Sequence, residues 1–382
     1  MAYHTTPYLL LFLPAALLFY QITPAKWRSY TLLIFSYLFF WSFSEKLIIY
    51  LIGTTFLTHH ICIWMDTMDK RDKRKKRVFQ LGILLLLGTI LCLKYRNFFF
   101  GNVSKLAMVL HIDWSYQDQL IFLPIGISFY TLSAIGYMAD VYWGKVKAEY
   151  SLVKTALFLG FFPVIVEGPI CRWEDVEDTL FKNESVKAEN VFKGCYRIIW
   201  GLFKKMIIAD RLAVLVDKVY VGYESYSGAV IVVAAISYTI QLYMEFSGCM
   251  DMVIGSAGLF GIRLPENFSQ PFFAKTCTDF WKRWHITLGV WFKNYIFYPV
   301  SISKTARKWN KFTRKHFKGD FGKYVARMGI AAMALFPVWI SNGLWHGPKW
   351  NYIFYGLYYF GLIFMGLALE PVRDRILAVL HI

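Results

Sequence analysis

The chain has 382 residues, 57% of them hydrophobic and 19% aromatic, with a mean hydropathy of +0.41. A soluble domain runs at about 45–50% apolar, so these figures exclude a soluble enzyme and indicate an all-α polytopic membrane protein. The formal net charge of +17 falls in the stretches between apolar runs, which is the positive-inside pattern of a membrane protein and not a nucleic-acid surface.

No polar stretch is long enough to make a soluble domain, so one integral membrane domain is expected over residues 1–382, with N-terminal spans in 1–120 and a core in 121–370. The six cysteines (Cys62, Cys92, Cys171, Cys195, Cys249, Cys277) show no CxxC pair and no disulfide framework. The N-terminus lacks a charged n-region and a small-residue cleavage site, so the first apolar run is expected to stay as an anchor.

A helix needs roughly 17–25 apolar residues to cross a bilayer. Residues 8–22, 30–43 and 46–65 fit or approach this, with a turn near Ser44. Seven Lys or Arg between Lys70 and Arg77 then read as a cytoplasmic loop at the headgroup surface. Fixing that loop inside places the Ser44 turn outside, the Lys26/Arg28 turn inside and the N-terminus outside. Residues 79–93 lead out again and 121–143 return to Lys145 and Lys147.

The pattern then becomes irregular. Residues 155–166 are apolar but short and end in EGPICRWED, where Gly168-Pro169 stops a helix and Glu167 and Arg172 stand at its mouth. A re-entrant or broken helix is expected, since freed backbone is tolerated only against protein or a water-filled cavity. Residues 182–205 read as an amphipathic interfacial helix followed by an apolar one. A span at 229–246 ends in EFSGCMDMVIGSAGLFGI, where Glu245 and Asp251 stand among small residues suited to close helix approach. Residues 303–327 carry nine Lys or Arg and one Asp and read as a basic cytoplasmic loop, and 328–345 and 352–369 are the last spans.

Two histidines occupy tryptophan-framed segments, His285 in DFWKRWHITLGVWFKNYIF and His346 in NGLWHG. Such a ring at bilayer depth is costly and marks function by default. On one continuous helix, Trp281, Trp284, His285 and Trp291 fall broadly along one face, which leaves open an aromatic belt with a hydrogen-bonded histidine. His346 sits at a helix end before Gly347-Pro348, where its ring can face a cavity. The two lie sixty-one positions apart and no close ligand set accompanies them, so no metal site is expected. No G-x-S-x-G elbow or P-loop is present. A neutral imidazole in a dry pocket suits proton removal from a hydroxyl that attacks an activated acyl group, with water excluded.

Several segments in register now point to a family: LPIGISFYTLSAIGYMADVYWG at 123–144, GPICRW at 168–173, GLFKKMIIAD at 201–210, QLYMEFSGCMDMVIG at 241–255, ENFSQPF at 266–272, DFWKRWHITLGVWFKNYIF and GLWHG. Together with LLFLP and SYLFF near the start, they cover nearly the whole chain. The sequence resembles the membrane-bound O-acyltransferases, nearest the bacterial branch of alginate O-acetyltransferases and teichoic-acid D-alanyl transferases. The resemblance implies a ring of about eleven transmembrane or re-entrant helices around a central channel, in a multi-pass protein of the bacterial plasma membrane. It implies His346 as the essential histidine and His285 as the second, with Asp251, Glu245, Arg172, Trp284, Trp345 and Asn294 as candidate channel residues. The donor implied is acetyl-CoA or an acyl carrier protein thioester on the cytoplasmic side, with no tightly bound cofactor. The acceptor implied is an extracytoplasmic polysaccharide or a partner acetyltransferase, and membrane lipids surround the chain.

This chain departs from the family pattern at Lys293-Asn294, where Arg-Asp is usual, and at Cys249, where a second aromatic is usual. It also stops at Ile382, which reads as a short member or a piece of a longer chain. The expected activity is O-acetyl transfer to a cell-envelope polysaccharide, with D-alanyl transfer to teichoic acid as the alternative. A transporter would show internal repeats, and none is visible; a non-catalytic membrane scaffold is the remaining reading.

Overall fold

A computed structural model describes residues 2–69 and 72–380. Among them the chain is almost wholly helical, and five stretches are long and apolar enough to cross a membrane by length and composition: Ala25–Asp66, Lys73–Val109, Gly228–Leu259, Gly319–His346 and Trp350–Ala368. The chain divides into two compact units, the first made of Met1–Leu86 and Leu123–Phe268, the second of Leu87–Phe122 and Ser269–Ile382.

In the first unit a wide turn at Pro7–Phe12 leads into α1 (Leu13–Ile22), followed by α2 (Arg28–Ser44) and α3 (Ile48–Asp66). Glu45 takes a left-handed φ of 42° and ends α2 where the turn was expected. The basic run differs from expectation. Lys70 and Arg71 lie outside the described residues, but Lys73 to Arg77 form the start of α4 (Lys73–Ile90), with Lys75 buried and Arg74 and Arg77 exposed.

The helix α6 (Ile127–Trp143) begins six residues later than the apolar run at 121. Gly126 sets that start with φ 78°, pressed so close to the Ile165 carbonyl that no Cβ fits. The short helix is α7 (Leu152–Gly160), buried from Thr155 to Gly160, and it gives way to turns before Gly168. Arg172 then caps α8 (Trp173–Leu180), its backbone N–H donating to Asp175 Oδ2 at 2.9 Å.

The expected pair of helices at 182–205 is one helix, α9 (Ala188–Leu202), running into a wide turn at Phe203–Ala209 and then α10 (Asp210–Val221). Its main partner, α11 (Gly228–Leu259), does not stop at 246 but runs on to Leu259, 32 residues in all. Packing explains this. A Cβ on Gly201 would meet the Gly248 carbonyl at 2.5 Å, and one on Gly194 would meet that of Gly255 at 2.8 Å. These four glycines let the two backbones touch, so the small-residue stretch is a helix interface and not a helix end.

The second unit contains α5 (Arg96–Val109), reached from α4 through a wide turn at Leu91–Tyr95, and the C-terminal helices. These are α12 (Cys277–Arg283), α13 (Ile286–Phe292), a wide turn at Lys293–Phe297, α14 (Tyr298–Ser301), α15 (Lys304–His316), α16 (Gly319–His346), α17 (Trp350–Ala368) and α18 (Glu370–Leu380). The basic stretch 303–327 is folded into helix over Lys304–His316 and again from Gly319. Ala306 and Thr313 are buried, and Trp309 donates to the Val325 carbonyl at 3.3 Å while lying over Gly329. The intervening Lys and Arg project outward at helical spacing, so a run that looks uniformly polar has one apolar face.

Candidate functional site

The segment around His285 is not one continuous helix. Thr276 caps α12, its hydroxyl accepting from the Asp279 N–H at 3.0 Å, and the helix ends at Arg283. His285 itself adopts φ 47° and ψ 52°, a left-handed conformation that costs a non-glycine residue about 1–3 kcal/mol, and α13 starts beyond it. The break separates the aromatic residues expected on one face. Trp281 packs edge-on against Trp339 at 5.0 Å and Tyr359 at 4.9 Å, Trp284 stacks on Phe280 at 5.7 Å, and Trp291 meets Tyr295 at 5.2 Å.

The same break drives the His285 ring inward. It is 5% exposed and meets the Trp345 indole edge-on, with centroids 5.6 Å apart. His346 is the last residue of α16 and differs in being exposed. Its ring lies 5.0 Å from Trp345, 6.1 Å from Tyr352 and 5.5 Å from Tyr355, so aromatic faces border it while one side stays reachable. Gly347 follows with no room for a side chain, since a Cβ there would meet the Tyr352 ring at 2.7 Å. One turn earlier, Gly343 brings the backbone of α16 against the Tyr352 carbonyl, and Gly356 brings α17 against the Trp339 carbonyl.

Three further polar residues stand near this helix end. Asn342 precedes His346 by four positions, hence on the same side of α16, and its buried Oδ1 has no hydrogen-bond partner among the described residues. Lys94 Nζ donates to the Trp345 carbonyl at 2.6 Å, and the Tyr95 hydroxyl donates to the Leu344 carbonyl. None of the three was singled out from sequence. Lys94 carried a usable signal, an ammonium within the apolar run LLLLGTILCLKY, which is costly at bilayer depth unless engaged. Asn294 is half-buried in the wide turn Lys293–Phe297.

Arg172, Glu245 and Asp251 belong to the other unit and are engaged in ion pairs there. Asp251 bridges Arg197 at 3.1 Å and Lys204 at 2.7 Å, with Arg197 continuing to Glu266 at 2.6 Å. Glu245 meets Lys205 at 2.8 Å, and Arg172 pairs with Asp175 at 2.7 Å and with Glu174. Among the described residues no three His, Cys, Asp or Glu side chains are grouped to hold a metal ion.

The arrangement so far is a reachable imidazole at a helix end, a buried one behind a shared tryptophan, and a largely apolar helical chain around them. Comparison with known proteins identifies it. The family model for MBOAT, the membrane-bound O-acyltransferase family, matches residues 146–315. A probable alginate O-acetylase of Pseudomonas putida is 31% identical over 359 residues, covering 94% of this chain and 69% of that protein. The chain belongs to the membrane-bound O-acyltransferase family.

Other members of the family are also similar to it. A peptidoglycan O-acetyltransferase of Helicobacter pylori is 28% identical over 97% of this chain and 70% of its own length. A teichoic acid D-alanyltransferase of Bacillus subtilis is 29% identical over 62% of this chain and 56% of its own length. The chain thus spans between about half and 70% of the length of these membrane-bound O-acyltransferases. His285 falls within the stretch matched by the family model, and His346 lies beyond it.

Proposed function

We propose that the protein moves an acetyl group from a cytoplasmic thioester, acetyl-CoA or an acyl carrier protein, to a hydroxyl of an extracytoplasmic cell-envelope polysaccharide or of a partner transferase. On this reading it sits in the bacterial plasma membrane with its N-terminus outside, and its helices form a ring around a channel that admits donor and acceptor from opposite sides. The observation that carries the proposal is the contrast between the exposed His346 and the buried His285, joined through Trp345.

A ring nitrogen of His346 accepts the proton of the acceptor hydroxyl as its oxygen attacks the thioester carbonyl carbon. The tetrahedral intermediate collapses, the C–S bond breaks, and the imidazolium returns the proton to the departing thiolate. The ester and the free thiol are the products. A positioned base of this kind contributes about 10²–10⁴-fold. Tyr352, Tyr355 and Trp345 border the ring and limit water beside it, which favours transfer over hydrolysis of the donor. His285, sealed behind Trp345, supports the wall and does not meet substrate.

The test is acyl transfer by purified protein in lipid nanodiscs, with radiolabelled acetyl-CoA and a glycan acceptor. His346→Ala loses transfer while remaining monodisperse and helical; retained transfer removes His346 from the mechanism. The similarity to D-alanyltransferases supports a second reading, D-alanyl transfer from a carrier protein. Labelling by D-alanyl carrier and not by acetyl-CoA would select it.

A further inference from the structure

The end of a helix leaves its last carbonyls without intrahelical partners, and α16 ends at the residue on which the proposed chemistry depends. Gly347 N–H satisfies the Leu344 carbonyl in part, at 3.1 Å. Two adjacent side chains from outside the helix donate to these terminal carbonyls, Lys94 to that of Trp345 and Tyr95 to that of Leu344. Both donors come from the last two residues of the wide turn Leu91–Tyr95, a type of helix irregularity common at functional sites. Lys94 also places a positive charge at the helix C-terminus, where the macrodipole favours one.

The carbonyls so held belong to the residue whose ring touches both histidines and to the one before it. Fixing them fixes the backbone that carries Trp345 and His346 together. We propose that Lys94 and Tyr95 are positioning residues that lock the last turn of α16 and set the angle of the His346 imidazole. This inference rests on the acyl-transfer reading above, and it assigns the pair no contact with substrate.

The experiment compares Lys94→Met, Lys94→Arg and Tyr95→Phe with the wild type in nanodiscs, reading kcat and KM for the acyl donor. A small misplacement of a catalytic group costs as much as about 100-fold, so Lys94→Met is expected to lose at least about tenfold in kcat with KM for the donor within about twofold. Lys94→Arg, which still donates to the carbonyl, restores most of kcat, and Tyr95→Phe gives an intermediate loss. An unchanged kcat in Lys94→Met, beside an inactive His346→Ala, overturns the inference and leaves the function standing.

Should Lys94→Met fail to fold, Tyr95→Phe decides, since it removes one hydroxyl alone. If the wild type transfers from no donor, the functional reading fails by itself. The lock is then read from hydrogen exchange of the amides at 345–347: faster exchange in the variants supports it, and unchanged exchange overturns it.

Discussion

The indole of Trp345 meets the imidazole of His285 edge-on at 5.6 Å while its chain neighbour, His346, carries the exposed ring. One aromatic side chain thereby stands against both histidines. His285→Ala is expected to leave transfer measurable, at a loss smaller than that of His346→Ala, and to lower thermal stability in detergent, because a buried ring at a left-handed position is removed. Equal loss of transfer in both variants, with unchanged stability, would place His285 in the chemistry instead.

Truncating the shared wall gives a sharper outcome. Trp345→Ala removes a large half-buried side chain, a change that costs about 3–5 kcal/mol in a core and less where part of the ring is exposed. On the proposed reading, the wall between the donor thioester and bulk water also shrinks. Hydrolysis of acetyl-CoA relative to transfer should rise, measured as free thiol released per acetyl group delivered. A constant ratio would show that Trp345 does not guard the site.

The glycine contacts between α9 and α11 predict intolerance at positions remote from the histidines. In Gly201→Leu the new side chain starts 2.5 Å from the Gly248 carbonyl and 2.8 Å from Met252 Cγ, so the helices must part. Overpacking of this kind costs about 1–3 kcal/mol or more. Melting in detergent should fall clearly below wild type, and Gly228→Ala, where a Cβ meets nothing, serves as the matched control.

Asp251 is held by Arg197 and Lys204, at 12% side-chain exposure. Asp251→Asn should cost about 1.5–3 kcal/mol, the range for hydrogen bonds to charged groups. Turnover per folded molecule should stay near wild type. A large loss of turnover without destabilisation would instead give Asp251 a part in the reaction.

The basic segment tests the assignment of helix over loop. Amides of 308–316 are expected to be protected from exchange, since the ladder of α15 holds them, and Trp309→Ala should release that protection first. Rapid exchange throughout in the wild type would contradict the helix.

Much of this was legible in the sequence because apolar length and motif chemistry are local properties. The turn at Ser44, the broken helix before Gly168, and the position of His346 at a helix end all follow from residues within a few places of each other. What the sequence concealed depended on contact. The ion pairs of Glu245 and Asp251 were not legible, because Arg197, Lys204 and Lys205 stand 54, 47 and 40 positions from their partners. The face shared by Trp281, Trp284, His285 and Trp291 assumed unbroken helix, and the left-handed turn at His285 has no glycine to announce it. The ammonium of Lys94 in an apolar run was a visible signal, but its acceptor, the Trp345 carbonyl 251 positions away, was not.

Pro337, in the interior of α16, offers no N–H to the carbonyl four residues before it, so the long helix has a joint part-way along. Trp309 holds the stretch before that joint, at Val325 and Gly329, whereas Trp339, Asn342, Trp345 and His346 all lie after it. The two halves of α16 are thus tied by one hydrogen bond fewer than an unbroken ladder would give.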